Sequence, residues 1–373
     1  MPMPRVPPLD LYAKRLAVDL LRGVPVSVWE RIAPKDLITF TYHLVSDEEV
    51  PHQRLYAYKN RGQFESDVVY ARERAVTYDE VVRHRRRTAR LPPNRILFTF
   101  DDGLSECFSV IRPILRKHGV KAIFFVNTQF LDDKESFFET TLSRCLGEIE
   151  KLDEATVVAL LAELGINRVS SSRPISSIEL GRSRLLEARV GAPSSRAHTR
   201  LMLWLLGFEE DGKAEIDRAW SLLRRPQPGG SRAGQPTCMT TDQVKQLASE
   251  GFTVGSHGST HLPMQQFSPQ EMEAHIVSSC ETVRSMTGQA RVPFAFPYTG
   301  RGIDRGILAA ILRRNPFIDL LFDTQDFSRD EDFVVQRIGA DRPPSSAADH
   351  VTNLPFLMRT AWSRRSSWYR SCP

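Results

Sequence analysis

Two short stretches carry residues whose types and spacing suit joint chemistry. In "ILFTFDDG", Ile96 to Gly103, a run of strand-forming residues ends on Asp101 and Asp102. Adjacent carboxylates repel, and burying either without a partner costs on the order of several kcal/mol. A positive group is therefore expected beside them. Far downstream, "GSHGSTH" sets His257 and His261 four residues apart, again directly after a strand candidate. On a helical turn that spacing projects both imidazoles from one face. With Asp102 the set becomes His, His, Asp, a common three-ligand arrangement for catalytic zinc or a similar ion, with positions left for water. Such an ion neutralises the acidic pair, lowers the pKa of water from about 15.7 toward about 7, and polarises a carbonyl oxygen. Asp101, left free, is placed to take a proton as general base. Cleaving an amide also requires a proton donor for the leaving nitrogen, and histidine has the suitable pKa. Asp-Asp-Gly by itself is ordinary turn or helix-capping chemistry. The four residues together, each group at a strand end, are what point to a metal.

The elements that must position them follow from periodicity. "LITFTYHLV" (37–45), "ILFTF", "KAIFFVN", the "FTVGSH" segment, "VPFAFPYTG", "IDLLFDT" and "DFVVQRIGA" are strand candidates. Between them lie helix candidates in "NRGQFESDVVYARERA", "CFSVIRPILRKHG" with its stop at Gly119, a helix starting near Thr241-Asp242 and stopping at Gly251, and "GILAAILRR". Strand and helix alternate, and the polar groups sit at the strand C-terminal ends. This predicts an α/β fold with a parallel sheet or barrel, whose working face is that end. Residues 134–235 differ. "DEATVVALLAELG" and "RLMLWLLGF" are helical, while "SSSRPISS" and "RRPQPGGSRAGQP" are loop-like. They predict a helical insertion closed by a connector. The expected organisation is an N-terminal helical segment (1–35), a barrel (36–345) interrupted at 134–235, and a basic tail (346–373).

Composition narrows the class. The chain has 373 residues, 41% of them hydrophobic and 25% charged, as in ordinary globular proteins. Its net charge of +5 is a mild excess. The clusters around Arg83–Arg87 and Arg364-Arg365 read as solvated faces or as a weak attraction to anionic membrane or an acidic polymer, and no nucleic-acid partner is expected. The cysteines at 107, 145, 238, 280 and 372 are odd in number and form no CxxC pair. That argues against a disulfide framework and a cysteine zinc site. No apolar run approaches the roughly 20 residues of a membrane span. The proline-rich, charged N-terminus lacks a signal-peptide core, so a cytoplasmic protein is the expectation. An amphipathic helix over Leu9–Trp29 would dock on the protein, or on a lipid surface as a peripheral contact.

"TFDDG", "HGSTH" and "FAFPYTG" resemble, in order and in strand-end placement, the first three motifs of the NodB-homology polysaccharide deacetylases, carbohydrate esterase family 4. The resemblance covers residues 36–132 and 236–340. It implies a distorted (β/α) barrel of fewer than eight regular strands, with Asp101 as base and Asp102, His257 and His261 as metal ligands. Two departures stand out. Where the family's third motif has an arginine bracing the base, this chain has Ala295. Arg337 in "VVQRIGA" is the expected substitute, with Arg291 as a decoy. The late histidine motif that supplies the acid is missing, and His350 in "AADHV" is a poor replacement. "FTYHLV" resembles the early Tyr-His segment of the deacetylases that act on biofilm poly-N-acetylglucosamine, which implies His43 as proton donor. Tyr298 would lend its backbone N–H to the developing oxyanion.

The resulting expectation is a metal-dependent de-N-acetylase of N-acetylglucosamine-type sugars in a polysaccharide, oligosaccharide or glycolipid. Zinc is the expected ion for two imidazoles and a carboxylate, and Co²⁺, Ni²⁺ or Fe²⁺ suit the same donors. The alternatives are another hydrolase of non-peptide amides or imides in the same superfamily, and a non-catalytic glycan-binding protein.

Overall fold

The computed structural model describes residues 28, 37–55, 57–166, 195–208, 212–224, 236–325 and 330–341. Apart from Val28, the expected N-terminal helix lies outside the described residues. So do "SSSRPISS", 225–235, His350 and the basic tail.

The chain runs β1 (Leu37–Tyr42), α1 (Arg61–Ala71), α2 (Tyr78–Arg85), β2 (Arg95–Phe100), α3 (Arg112–Lys117), β3 (Ala122–Val126), α4 (Phe138–Ile149), α5 (Glu154–Glu163), α6 (Arg196–Leu206) and α7 (Lys213–Leu223). It continues with α8 (Thr241–Ser249), β4 (Thr253–Ser256), α9 (Pro269–Thr287), β5 (Phe294–Ala295), α10 (Arg305–Arg314), β6 (Leu321–Asp323), β7 (Val334–Gln336) and β8 (Ile338–Gly339). The longer strands are mostly apolar and are buried on both faces, as strands flanked by helices must be, with threonines the buried polar residues of β1 and β2. Helix starts follow local capping chemistry. Reciprocal capping boxes join Asn60 to Gln63, Thr77 to Glu80, Thr240 to Gln243 and Ser268 to Glu271. The helix expected in "CFSVIRPILRKHG" opens instead as a π turn over Cys107–Ile111, with Arg112 N–H bonded to the Cys107 carbonyl. Pro113 explains the widening: it has no N–H for the next turn, and its ring crowds the carbonyl four residues back.

Among the described residues the eight strands pair in parallel, in the order β7-β6-β5-β4-β3-β2-β1-β8. The two ends of that order are one piece of chain. β7 pairs with β6, β8 pairs with β1 through Phe40↔Ile338 and Thr41↔Gly339, and Arg337 alone separates them. Arg337 N–H bonds to the Asp323 carbonyl on one side, and Ala340 N–H bonds to the Thr41 carbonyl on the other, both at 2.9 Å. A single bent segment therefore closes the sheet into a barrel and leaves neither edge open. The eight strands thus form a ring with one stave fewer than their count, because β7 and β8 share a segment.

Alternating residues divide the core. Phe40, Phe98, Phe100 and Phe124 pack outward with Phe64, Val68 and Ile276 of the helices. Leu97, Ile123, Phe125, Ala295, Phe322 and Val335 form a separate cluster with Tyr78, Val81 and Val82, so α2 joins the barrel interior. Gly255 lets β4 approach β3 and β5: a Cβ there would lie 2.4 Å from the Phe125 ring and 2.8 Å from the Pro293 carbonyl. Helices α4–α7 have a hydrophobic cluster of their own, built from residues such as Leu142, Leu146, Val157, Leu205 and Ile216. Among the described residues no helix is long and apolar enough to cross a membrane. The four described cysteines are buried and free.

Candidate active site

The C-terminal ends of β1, β2, β4 and β8 carry the polar groups. Asp101 prolongs β2, its N–H bonded to the Tyr42 carbonyl at 2.9 Å. The next residue, Asp102, turns sharply with φ +68°. Aspartate tolerates this left-handed conformation better than most residues, and here it sends two successive carboxylates toward one space. β4 ends on His257, whose N–H bonds to the Val126 carbonyl and so extends the β3 ladder. Gly258 (φ +81°) and His261 (φ +60°) then coil the chain back. The two histidines converge through this irregular loop. The helical turn expected from their spacing is not formed, because two positive φ values are incompatible with it.

The convergence is tight. Ligand atoms of Asp102, His257 and His261, all buried, lie within 4.8 Å of one another. Asp102 Oδ1 is 3.4 Å from His261 Nε2 and 3.6 Å from His257 Nε2. His257 Nδ1 is 3.0 Å from the Ala295 carbonyl, so the Nδ1–H donates there and Nε2 presents its lone pair to Asp102. Burial lowers the His257 pKa to about 4, outweighing Asp101 and Asp102, and keeps the imidazole neutral. Asp102 Oδ1 is buried and has no hydrogen-bond partner among the described residues. The His257 imidazole thus presents a lone pair and not a proton to the Asp102 oxygen. Two ligands about 2.1 Å from one ion in tetrahedral geometry lie about 3.4 Å apart. The donor set therefore fits a divalent cation in both spacing and chemistry.

Asp101 is held separately. Arg337 Nη1 donates to its Oδ1 at 2.6 Å, and to the hydroxyls of Thr41 and Thr99 at 3.3 Å. Arg337 is fully buried, with its guanidinium 5.3 Å from the Phe125 ring centroid. Burial alone would raise the Asp101 pKa. Arg337, with His257 and His43, outweighs burial and holds the carboxyl well below the usual range. Arg291 lies elsewhere, 3.6 Å from Asp319. Ala295, where the resemblance would have an arginine, instead supplies the carbonyl that orients His257.

His43 follows β1. Its N–H donates to Asp341 Oδ1 at 2.9 Å, and its Nδ1 lies 2.7 Å from Asp341 Oδ2. Burial pulls the imidazole toward neutrality, but Asp341, aided by Asp102 and Asp101, raises its pKa to about 10. The ring is 28% exposed, so the proton it holds is reachable from outside. Tyr298 has φ +57° and sits in a tight turn, with Thr299 N–H bonded to the Pro297 carbonyl. Its ring lies 4.7 Å from that of His261.

Sequence reasoning missed three neighbours. Asp341 stands just beyond "IGA", an acidic residue after a strand as Asp101 is, and that position was its only local signal. Phe137, the N-cap of α4, and Glu139, in its first turn, come from the segment expected as a helical insertion at 134–235. Phe137 packs 5.0 Å from the His261 ring, and Glu139 accepts the Tyr298 hydroxyl at 3.2 Å. Nothing in their own surroundings marks them.

Comparison with known proteins fits this geometry. The polysaccharide deacetylase family model matches residues 88–153 and 228–311. That range includes Asp101, Asp102, His257, His261 and Tyr298, and excludes His43, Arg337 and Asp341. No curated protein matches the sequence. Among solved structures, the deacetylase PplD of Streptococcus pyogenes in complex with acetate is similar at 14% identity, over 84% of this chain and 96% of that one, with a TM-score of 0.50. IcaB from Ammonifex degensii is similar at 17% identity, over 85% and 97%, with a TM-score of 0.49. At such identities the likeness to PplD speaks to the fold.

Proposed function

We propose that this chain, a hydrolase of carbon–nitrogen bonds other than peptide bonds that carries a polysaccharide deacetylase domain, removes acetyl groups from N-acetylglucosamine-type amino sugars with the help of a divalent ion. The observation that carries the reading is the buried Asp102, His257 and His261 set, lying beside an aspartate clamped by Arg337. Those three residues would hold the ion, and zinc suits their donors best. When bound, the ion lowers the pKa of water and polarises the acetyl carbonyl.

The remaining work falls to the chain. Asp101 accepts the proton of the attacking water. Arg337 occupies Oδ1 and so fixes the carboxylate plane, leaving Oδ2 toward the site. His43 gives its proton to the departing amine, and Asp341 keeps that proton on the ring and the ring in place. The backbone N–H of Tyr298 is the proposed donor to the oxyanion, where a preorganised dipole contributes most.

Acetate release from N-acetylglucosamine oligomers tests the proposal, with added Zn²⁺, after chelator treatment, and in Asp101→Asn. Metal-dependent release that falls by about 10²- to 10⁴-fold in the variant is expected. Release that is indifferent to chelator, or to the variant, would remove the proposed roles.

A further inference from the structure

Glu139 is a buried carboxylate, 2% exposed, on a helix outside the barrel strands. The Tyr298 hydroxyl reaches it across 159 residues of sequence. Tyr298 is an unusual residue to hold. It has a positive φ, which a side chain with a Cβ adopts at a cost, and its turn has a three-residue hydrogen bond. Such a turn persists only if its surroundings over-determine it. On the backbone side, the Thr324 hydroxyl donates to the Tyr298 carbonyl at 2.7 Å, while Asp323 accepts from Thr299 Oγ1 and the Gly300 N–H. On the side-chain side, Glu139 tethers the hydroxyl. Tyr298, between these anchors, is 42% exposed, yet its ring lies against His261. Phe137, two residues before Glu139, packs on the same imidazole and is itself stacked on Phe130 at 4.9 Å. His261 thus sits between two aromatic rings, one belonging to the helical segment and one tethered to it.

We infer that Glu139 is a positioning residue: it ties the Tyr298 hydroxyl to the helical segment, and through Tyr298 it fixes the His261 ring and the strained turn at the mouth of the site. The inference deepens the metal-dependent reading above and rests on it. It gives the helical segment a part in the site, since a barrel without that segment would lack both Phe137 and the anchor of Tyr298. Outer residues that orient a metal-binding histidine typically change metal affinity by about 10- to 100-fold when removed.

The test is a set of variants of the full chain: Glu139→Gln, Glu139→Ala, Tyr298→Phe, and the Glu139→Ala/Tyr298→Phe double variant. Zinc affinity is measured by competition with a chromophoric chelator, and kcat and KM by acetate release. Glu139→Gln keeps an acceptor for the hydroxyl and should stay within about 3-fold of the parent in zinc affinity. Glu139→Ala and Tyr298→Phe should each weaken zinc by about 10-fold, and the double variant should be no worse than either, because both remove one link. Tyr298→Phe changes a half-exposed ring by one atom, so it remains informative if Glu139→Ala does not fold. Parental zinc affinity in Glu139→Ala or Tyr298→Phe, additive losses, or a Gln variant as weak as the Ala variant would each overturn the inference. Because zinc affinity is read without turnover, a parent that binds zinc but releases no acetate would refute the function while leaving the Glu139 comparison decisive.

Discussion

Replacing Asp341 by asparagine isolates what keeps the proton on His43. Asp341→Asn preserves the size of the side chain and an acceptor for the His43 backbone N–H, but removes the charge that raises the imidazole pKa to about 10 against the pull of burial. Without it, burial is opposed only by the weaker influence of Asp102 and Asp101, and the pKa should fall toward the ordinary 6.5. At pH 8 a group with pKa of about 10 is about 99% protonated, whereas one at 6.5 is about 3% protonated. The acid form, and with it kcat/KM, should drop by about 30-fold at pH 8 and by less than about 1.5-fold at pH 6. The assay is acetate release by zinc-saturated protein across about pH 5.5 to 9.5. The alkaline limb of the variant should lie at lower pH than that of the parent. A second readout has a fixed sign. Because the folded-state pKa is raised, the His43–Asp341 pair stabilises the fold fully below about 6.5, and the contribution is lost as pH rises through about 10. The gap in melting temperature between parent and variant should therefore be widest near pH 6 and close in alkali. An activity deficit of equal size at every pH, or an unmoved alkaline limb, would refute the role given to His43.

Two other substitutions probe the acidic pair. Arg337→Met leaves Asp101 buried without its clamp and should cost about 3–5 kcal/mol in urea unfolding near neutrality. The Asp101 pKa is lowered in the fold, so that loss should be present above about 3.8 and shrink as pH falls; a neutral-pH cost under about 1 kcal/mol would count against the clamp. Asp102→Gly relieves a positive φ and removes a buried oxygen without a hydrogen-bond partner among the described residues. In chelator-treated protein it should raise stability by about 1–2 kcal/mol while abolishing zinc binding; a less stable variant would show that Asp102 serves the fold and not a ligand.

The legible parts of the site share one property. Asp101, Asp102, His257 and His261 each follow a strand whose apolar run announces itself, so strand-end placement could be read from neighbours in sequence. The same holds for the longer strands, where burial on both faces favours apolar and β-branched residues in a run. Short elements were less legible. β5 keeps two residues of the strand expected in "VPFAFPYTG", and "DFVVQRIGA" bends at Arg337 into two strands on opposite edges. Nothing local to those residues distinguishes an edge strand from one that closes a ring.

What the amino-acid sequence determined by itself is the chemistry available: paired carboxylates, paired imidazoles, and the α/β alternation that sets them on one end of a sheet. What only the tertiary structure decided is who holds whom. His43 meets Asp341 across 298 residues, Asp101 meets Arg337 across 236, and Tyr298 meets Glu139 across 159. Those pairings depend on the barrel closing through residues 334–339 and on helix α4 leaning over the strand ends. The periodicities legible in a sequence have lengths of two to four residues, and they carry no information about which distant carboxylate will end beside a given arginine, histidine or phenol.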